Sequence, residues 1–188
     1  QLTQLKATEL GAELAAYLDK SHAEKVTVDT SALPSAALSA WFGQGIELRS
    51  YRFEKYKTKT EAKKSPQVEL VVSDLKATQQ AFSKAQAVNQ GVFLTRDLVN
   101  EPAAAIYPES FAAKALELKK LGVKVEVLDV AAMEKLGMGA LLAVGKGSQR
   151  PPRLVVAHWQ NSKQAPLAIV GKGITFDSGG ISIKPSAE

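Results

Sequence analysis

Three side chains late in the sequence are of types that can do chemistry together. In VGKGITFDSGGISIKPSAE, residues 170–188, Lys172 precedes Asp177 by five positions and Lys184 follows it by seven. Aspartate is a hard oxygen ligand whose two oxygens can serve one divalent cation or bridge a pair. A lysine ligates a metal only as the free amine. The ordinary lysine pKa of about 10.4 opposes that form, and a neighbouring dication or partial desolvation favours it. A lysine that stays protonated, the part open to Lys184, can polarise a carbonyl oxygen or stabilise an oxyanion. Glycines at 171, 173, 179 and 180 permit tight turns and close backbone approach. The same residues also suit a plainer reading, with exposed lysines, an aspartate that turns the chain through its side chain, and an SGG bend.

The elements that must position this stretch follow from periodicity. Leu5–Leu18 has helical spacing of apolar residues, and Lys25–Asp29 (KVTVD) alternates as a strand. Ser35–Ile46, which holds Trp41 and Phe42, reads as a second helix, and Val68–Leu75 as a second strand. Thr78–Val99 is helix-forming throughout, with Gly91 its one weak point, and is long enough to bridge two domains. Pro108 followed by Glu109 marks a helix start, continued by Ser110–Leu121 and stopped at Gly122. Val123–Val130 reads as a strand, Ala131–Leu136 as a short helix, and Ala140–Val144 as a short apolar segment. Arg153–Trp159 and Leu167–Val170 read as two further strands.

Strands alternating with helices predict the α/β class. The expected architecture is a small amino-terminal α/β domain (residues 1–77), a linker helix (78–99), and the start of a mostly parallel, helix-covered sheet (100–188). Such sheets place ligands beyond the carboxyl ends of their strands, and GKGITFDSGG begins where the strand Leu167–Val170 would end. Neither GKG is a phosphate loop. That motif needs a glycine, four residues, then Gly-Lys and a hydroxyl residue. Gly139 is one position too far from Gly145, Gly147 replaces the hydroxyl after Lys146, and Lys172 has no glycine at the required upstream position.

Composition narrows the class. Apolar residues make up 45% and charged residues 23% of the 188, as in ordinary globular proteins. No apolar run approaches the roughly 20 residues of a membrane-spanning helix, so no membrane partner is expected. The absence of cysteine excludes disulfides, thiolate metal sites and cysteine nucleophiles, and fits a cytoplasmic location. The opening QLTQLKATEL lacks the features of a signal peptide and an initiator methionine, which suggests trimming at the front. Arg49–Lys64 (RSYRFEKYKTKTEAKK) holds seven basic and two acidic residues, an excess of five that equals the net charge of +5. With Tyr51, Phe53 and Tyr56 interleaved, the segment suits phosphate binding and base stacking. It equally suits a solvated connector anchored by its aromatic rings, which is the more common use of a charge run.

VGKGITFDSGGISIKP resembles the signature of the leucyl aminopeptidase (cytosol aminopeptidase) family of dimetal exopeptidases. RDLVNEPAAAIYPESFA, GMGALLAVGKGSQRPPRLVVAHW and SYRFEKYKT resemble further stretches of the family in the same order, together covering most of residues 40–188. The resemblance implies that Lys172 ligates the more loosely held metal, that Asp177 bridges both, and that Lys184 is the catalytic lysine holding the scissile carbonyl. It implies two divalent ions, zinc or manganese, with bicarbonate as general base, peptide substrates cleaved at the amino terminus, and a homo-hexamer. The family's other ligands come later, from an aspartate after the catalytic lysine and from an NTDAEGR-like motif that also holds the bicarbonate-positioning arginine. The sequence contains two of the five metal-binding side chains so implied. Glu188, His22 and His158 are poor substitutes, His22 reading as a surface residue and His158 as a strand residue. The expectation is therefore the front part of a longer enzyme, inactive alone. The alternatives are a nucleic-acid-binding role through residues 49–64 and a non-catalytic assembly subunit of the same fold.

Overall fold

Residues 2–21, 23–58 and 66–177 are described by a computed structural model, in which the chain divides into two units at Asn100 and Glu101. Each unit is a mixture of helices and a two-stranded sheet, the α/β class expected.

In the first unit, α1 (Gln4–Leu18) starts at Thr3, whose hydroxyl accepts from the amide of Lys6 at 3.3 Å. That contact satisfies one of the donors a helix start leaves open. β1 (Lys25–Asp29) and β2 (Gln67–Val71) pair in parallel, Lys25 opposite Gln67 and Asp29 opposite Val71. Val26, Val28, Val68 and Leu70 are half-buried, and the alternate residues of both strands are exposed. This is the two-residue period read from the sequence. Across the exposed face Lys25 pairs with Glu69 at 2.7 Å.

Between the strands runs α2 (Ala36–Ser50), one turn longer than the sequence predicts. Its last carbonyls are satisfied from outside the helix, because Arg96 donates to the Leu48 carbonyl at 2.7 Å. Arg96 lies on α3 (Leu75–Asn100), which runs unbroken through Gly91. Two polar residues sit in the α2–α3 contact. The Gln44 amide donates to Asn89 Oδ1 at 3.2 Å, and Asn89 donates to Glu47 Oε2 at 2.6 Å. Asn89 is fully buried, so its amide depends on these partners.

The second unit begins with α4 (Pro108–Leu116), whose start is the one Pro108 and Glu109 announce. The Tyr107 amide donates to Ser110 Oγ at 2.9 Å, closing the first turn. A 3-10 turn (Glu117–Leu121) follows and ends at Gly122, whose φ of 87° lies in the left-handed region that favours glycine. β3 (Lys124–Leu128), α5 (Val130–Lys135), α6 (Gly139–Gly145) and β4 (Leu154–His158) complete it. The Asp129 carboxylate caps α5 by accepting from the Ala132 amide at 2.9 Å. Met133 of α5 is fully buried. Met133→Ala is expected to cost about 2–5 kcal/mol, read as a lower denaturation midpoint of this unit.

Two sequence-based expectations are revised here. β3 and β4 pair antiparallel, Lys124 opposite His158, whereas a mostly parallel arrangement was expected. Alternation of strands and helices does not set strand direction when the connection is long enough for either sense. Leu167–Val170 forms no strand, and Leu167, Ile169 and Val170 are 87%, 90% and 95% exposed. A strand exists only through a neighbour's hydrogen bonds, and this apolar run has no such neighbour among the described residues.

Candidate functional site

His158 closes β4, and residues 159–177 continue without regular secondary structure. Lys172 and Asp177 both lie in this irregular segment, and both side chains are exposed. Asp177 has an interaction of its own. Lys184 and Glu188 lie outside the described residues, as does His22. Among the described residues no group of three or more His, Cys, Asp or Glu side chains is placed to hold a metal ion. His158 is half-buried opposite Lys124 in the β3–β4 ladder, the strand position read from sequence.

The segment touches the body of its unit at Gly173. A Cβ added there would lie 2.8 Å from Cε1 of Phe111 and 3.5 Å from Cδ1, so the ring rests against the glycine backbone. Gly171, on the other side of Lys172, faces open space. Phe111 is carried by the first turn of α4, and that turn is tied to the residues before β4. Arg153 donates to Glu109 Oε1 at 3.4 Å, and the Arg150 guanidinium sits 3.9 Å over the Tyr107 ring. Glu109 Oε2 is buried without a hydrogen-bond partner among the described residues. Nothing in the linear sequence connects positions 111 and 173, and sequence reasoning does not find this contact.

The basic segment behaves as a connector where it is described. Arg52 pairs with Asp19 at 2.5 Å, Arg49 approaches the same carboxylate at 4.0 Å, and Lys57 pairs with Glu54 at 3.5 Å. Tyr51 stacks on Phe93 with centroids 5.6 Å apart and donates to Asp97 at 2.7 Å. Desolvation, then the Asp97 hydrogen bond, holds its phenol above the usual tyrosine range. The ring thus anchors the segment to α3. Lys59, Lys63 and Lys64 lie outside the described residues. A cavity of about 570 Å³ in the first unit is lined by Leu18, Leu70, Leu75, Phe82 and others, with the Thr78 hydroxyl buried and unpaired among the described residues.

With the geometry in place, comparison with known proteins is specific. Residues 93–188 match the family described as "Cytosol aminopeptidase family, catalytic domain". The chain is 52% identical over 184 residues to the probable cytosol aminopeptidase 1 of Shewanella oneidensis, covering 97% of this chain and 36% of that protein. It is 47% identical over 193 residues to the probable cytosol aminopeptidase of a Chelativorans species, covering 99% of this chain and 39% of that protein. The chain thus spans little more than a third of the length of these curated relatives. Among solved structures, the bottromycin maturation enzyme BotP in complex with Mn superposes with a TM-score of 0.74 at 32% identity, covering 96% of this chain and 39% of that one. A tomato leucine aminopeptidase mutant superposes with a TM-score of 0.72 at 24% identity over 82% of this chain and 33% of that one, which speaks to the fold alone.

Proposed function

The chain belongs to the cytosol aminopeptidase family, and from that membership we propose that it carries part of the active site of a metal-dependent aminopeptidase releasing amino-terminal residues from peptides. The observation that carries this reading is that the catalytic-domain match spans Lys172, Asp177 and Lys184 together. The Mn complex of BotP, at 32% identity, supports the use of a divalent ion.

The described residues suit such an ion in kind. Asp177 offers hard oxygens, Lys172 would offer a nitrogen donor as the free amine, and both lie on a segment with no sheet or helix bonds among the described residues. Two donors are too few to hold an ion tightly, since zinc sites use three or four protein ligands. We therefore place the remaining ligands on polypeptide outside the described residues. When bound, such ions supply Lewis-acid polarisation of a peptide carbonyl. Within this chain, Asp177 and Lys172 would hold the ions, and Lys184 in its charged form would steady negative charge developing on the substrate oxygen. We extend the same reading to zinc or manganese as the pair of ions, bicarbonate as general base, a homo-hexamer and a cytoplasmic location. Among the described residues no helix is long and apolar enough to cross a membrane.

The test needs no turnover. In the 188-residue chain, Mn²⁺ is expected to broaden the amide resonances of residues 171–177 before those of other surface acids. Asp177→Asn and Lys172→Met should each raise the Mn²⁺ concentration required by at least about tenfold. Broadening that is uniform over the surface, or unchanged in Asp177→Asn, would sink the assignment.

A further inference from the structure

We propose that Phe111 is a positioning residue for the metal ligands, its ring clamping the backbone at Gly173 and so setting where Lys172 and Asp177 point. The inference rests on the metal-site reading above and adds a residue to it.

Five residues of free chain can span roughly 17 Å. Donors that share one ion must lie within about 4 Å of each other, given metal–ligand bonds near 2 Å. Something must therefore fix the path between Lys172 and Asp177. Regular secondary structure does not, because the segment has none. Among the described residues, no backbone–backbone hydrogen bond ties residues 165–177. Burial of the apolar run before it does not either, since Leu167, Ile169 and Val170 stand almost wholly exposed. Beside the interaction that Asp177 itself makes, the described residues show one close contact at the Lys172 end of the segment, Gly173 against Phe111 immediately after Lys172. A Cβ at this position would meet the ring edge at 2.8 Å, so a larger residue would have to displace the ring.

The ring can act as a fixed point because its own helix is fixed. The Phe111 amide donates to the Tyr107 carbonyl at 2.8 Å in the capped first turn of α4. Ala112 beside it is buried, and Glu109 binds Arg153 next to β4. The clamp thus transmits the position of the β4–α4 framework to the ligand segment.

Phe111→Ala in the 188-residue chain is expected to lower the backbone amide order parameters of residues 172–177 to below about 0.6, the flexible range. It should raise the Mn²⁺ concentration for half-broadening about tenfold, the lower end of what a lost ligand-orienting neighbour costs. Phe111→Leu, which keeps an apolar side chain on Gly173, should restore most of both. Gly173→Ala, which displaces the ring from the other side, should reproduce the alanine effect while leaving α4 intact. Unchanged order parameters and unchanged Mn²⁺ response in Phe111→Ala overturn the clamp and leave the metal assignment standing. Global loss of amide dispersion in the second unit that Phe111→Leu repairs, without repairing the Mn²⁺ response, also overturns it, since the ring would then serve folding only. Absence of Mn²⁺ broadening at 171–177 in the wild-type chain overturns the metal reading and the ligand-positioning role with it, while the order parameters still report whether the ring holds the segment.

Discussion

Gly45→Ala is expected to destabilise the first unit by about 3 kcal/mol, the upper end of the ordinary cost of overpacking. α1 and α2 cross so closely that a Cβ at Gly45 would overlap the Thr8 carbonyl oxygen and lie 2.9 Å from the Ala12 amide nitrogen. The relation is reciprocal, because a Cβ at Gly11 would overlap the carbonyl oxygen of Phe42. In both cases the obstacle is helix backbone, which cannot rotate away as a side chain can. The two helices would have to separate, opening the packing around Ala7, Ala15 and Ala40, all buried. Urea unfolding followed through Trp41 measures the loss. Gly91→Ala is the internal control. Gly91 lies inside α3 with nothing within 4 Å of an added Cβ, so alanine there should stabilise by about 0.5–1 kcal/mol. Opposite signs for two Gly→Ala changes separate close packing from helix propensity. Equal midpoints for Gly45→Ala and wild type would show that α1 and α2 do not cross this closely.

The second large effect concerns activity. The 188-residue chain, supplied with Mn²⁺ and leucine p-nitroanilide, is expected to release no nitroaniline above the buffer blank. The proposed site calls for five metal-binding side chains, and the sequence supplies Lys172 and Asp177. Residues 178–188 add Lys184 and Glu188 as the only ionisable side chains. Enzymes exceed uncatalysed rates by about a millionfold or more, and a site short of most of its ligands loses the greater part of that. Turnover comparable to that of a longer relative would refute the need for ligands beyond Lys172 and Asp177. Silence in this assay together with local Mn²⁺ broadening at 171–177 is the combination the proposal requires.

Much of the helical architecture was legible in advance because a helix closes its hydrogen bonds within four residues. The spacing of Leu5, Ala12, Ala15 and Leu18 announces α1, and Pro108 with Glu109 announces α4, since each signal and its consequence lie within one or two turns. The helix α3 was legible through Gly91 for the same reason. Its buried Asn89 was not, because an asparagine inside a helix looks like surface until Gln44 and Glu47 arrive from α2. The added turn of α2 likewise depends on Arg96, a residue 48 positions from the carbonyl it satisfies.

The amino-acid order by itself determined the α/β class, the nature of the candidate ligands at 172 and 177, and the family to which the chain belongs, because side-chain chemistry and short-range hydrogen bonding are both local properties. Tertiary structure alone decided that β3 and β4 run antiparallel, that Leu167–Val170 finds no strand partner among the described residues, and that Phe111 meets Gly173. Each of these is a pairing between segments distant in the chain. Such pairings are selected by what each surface can bury and bond, which no single stretch of sequence states.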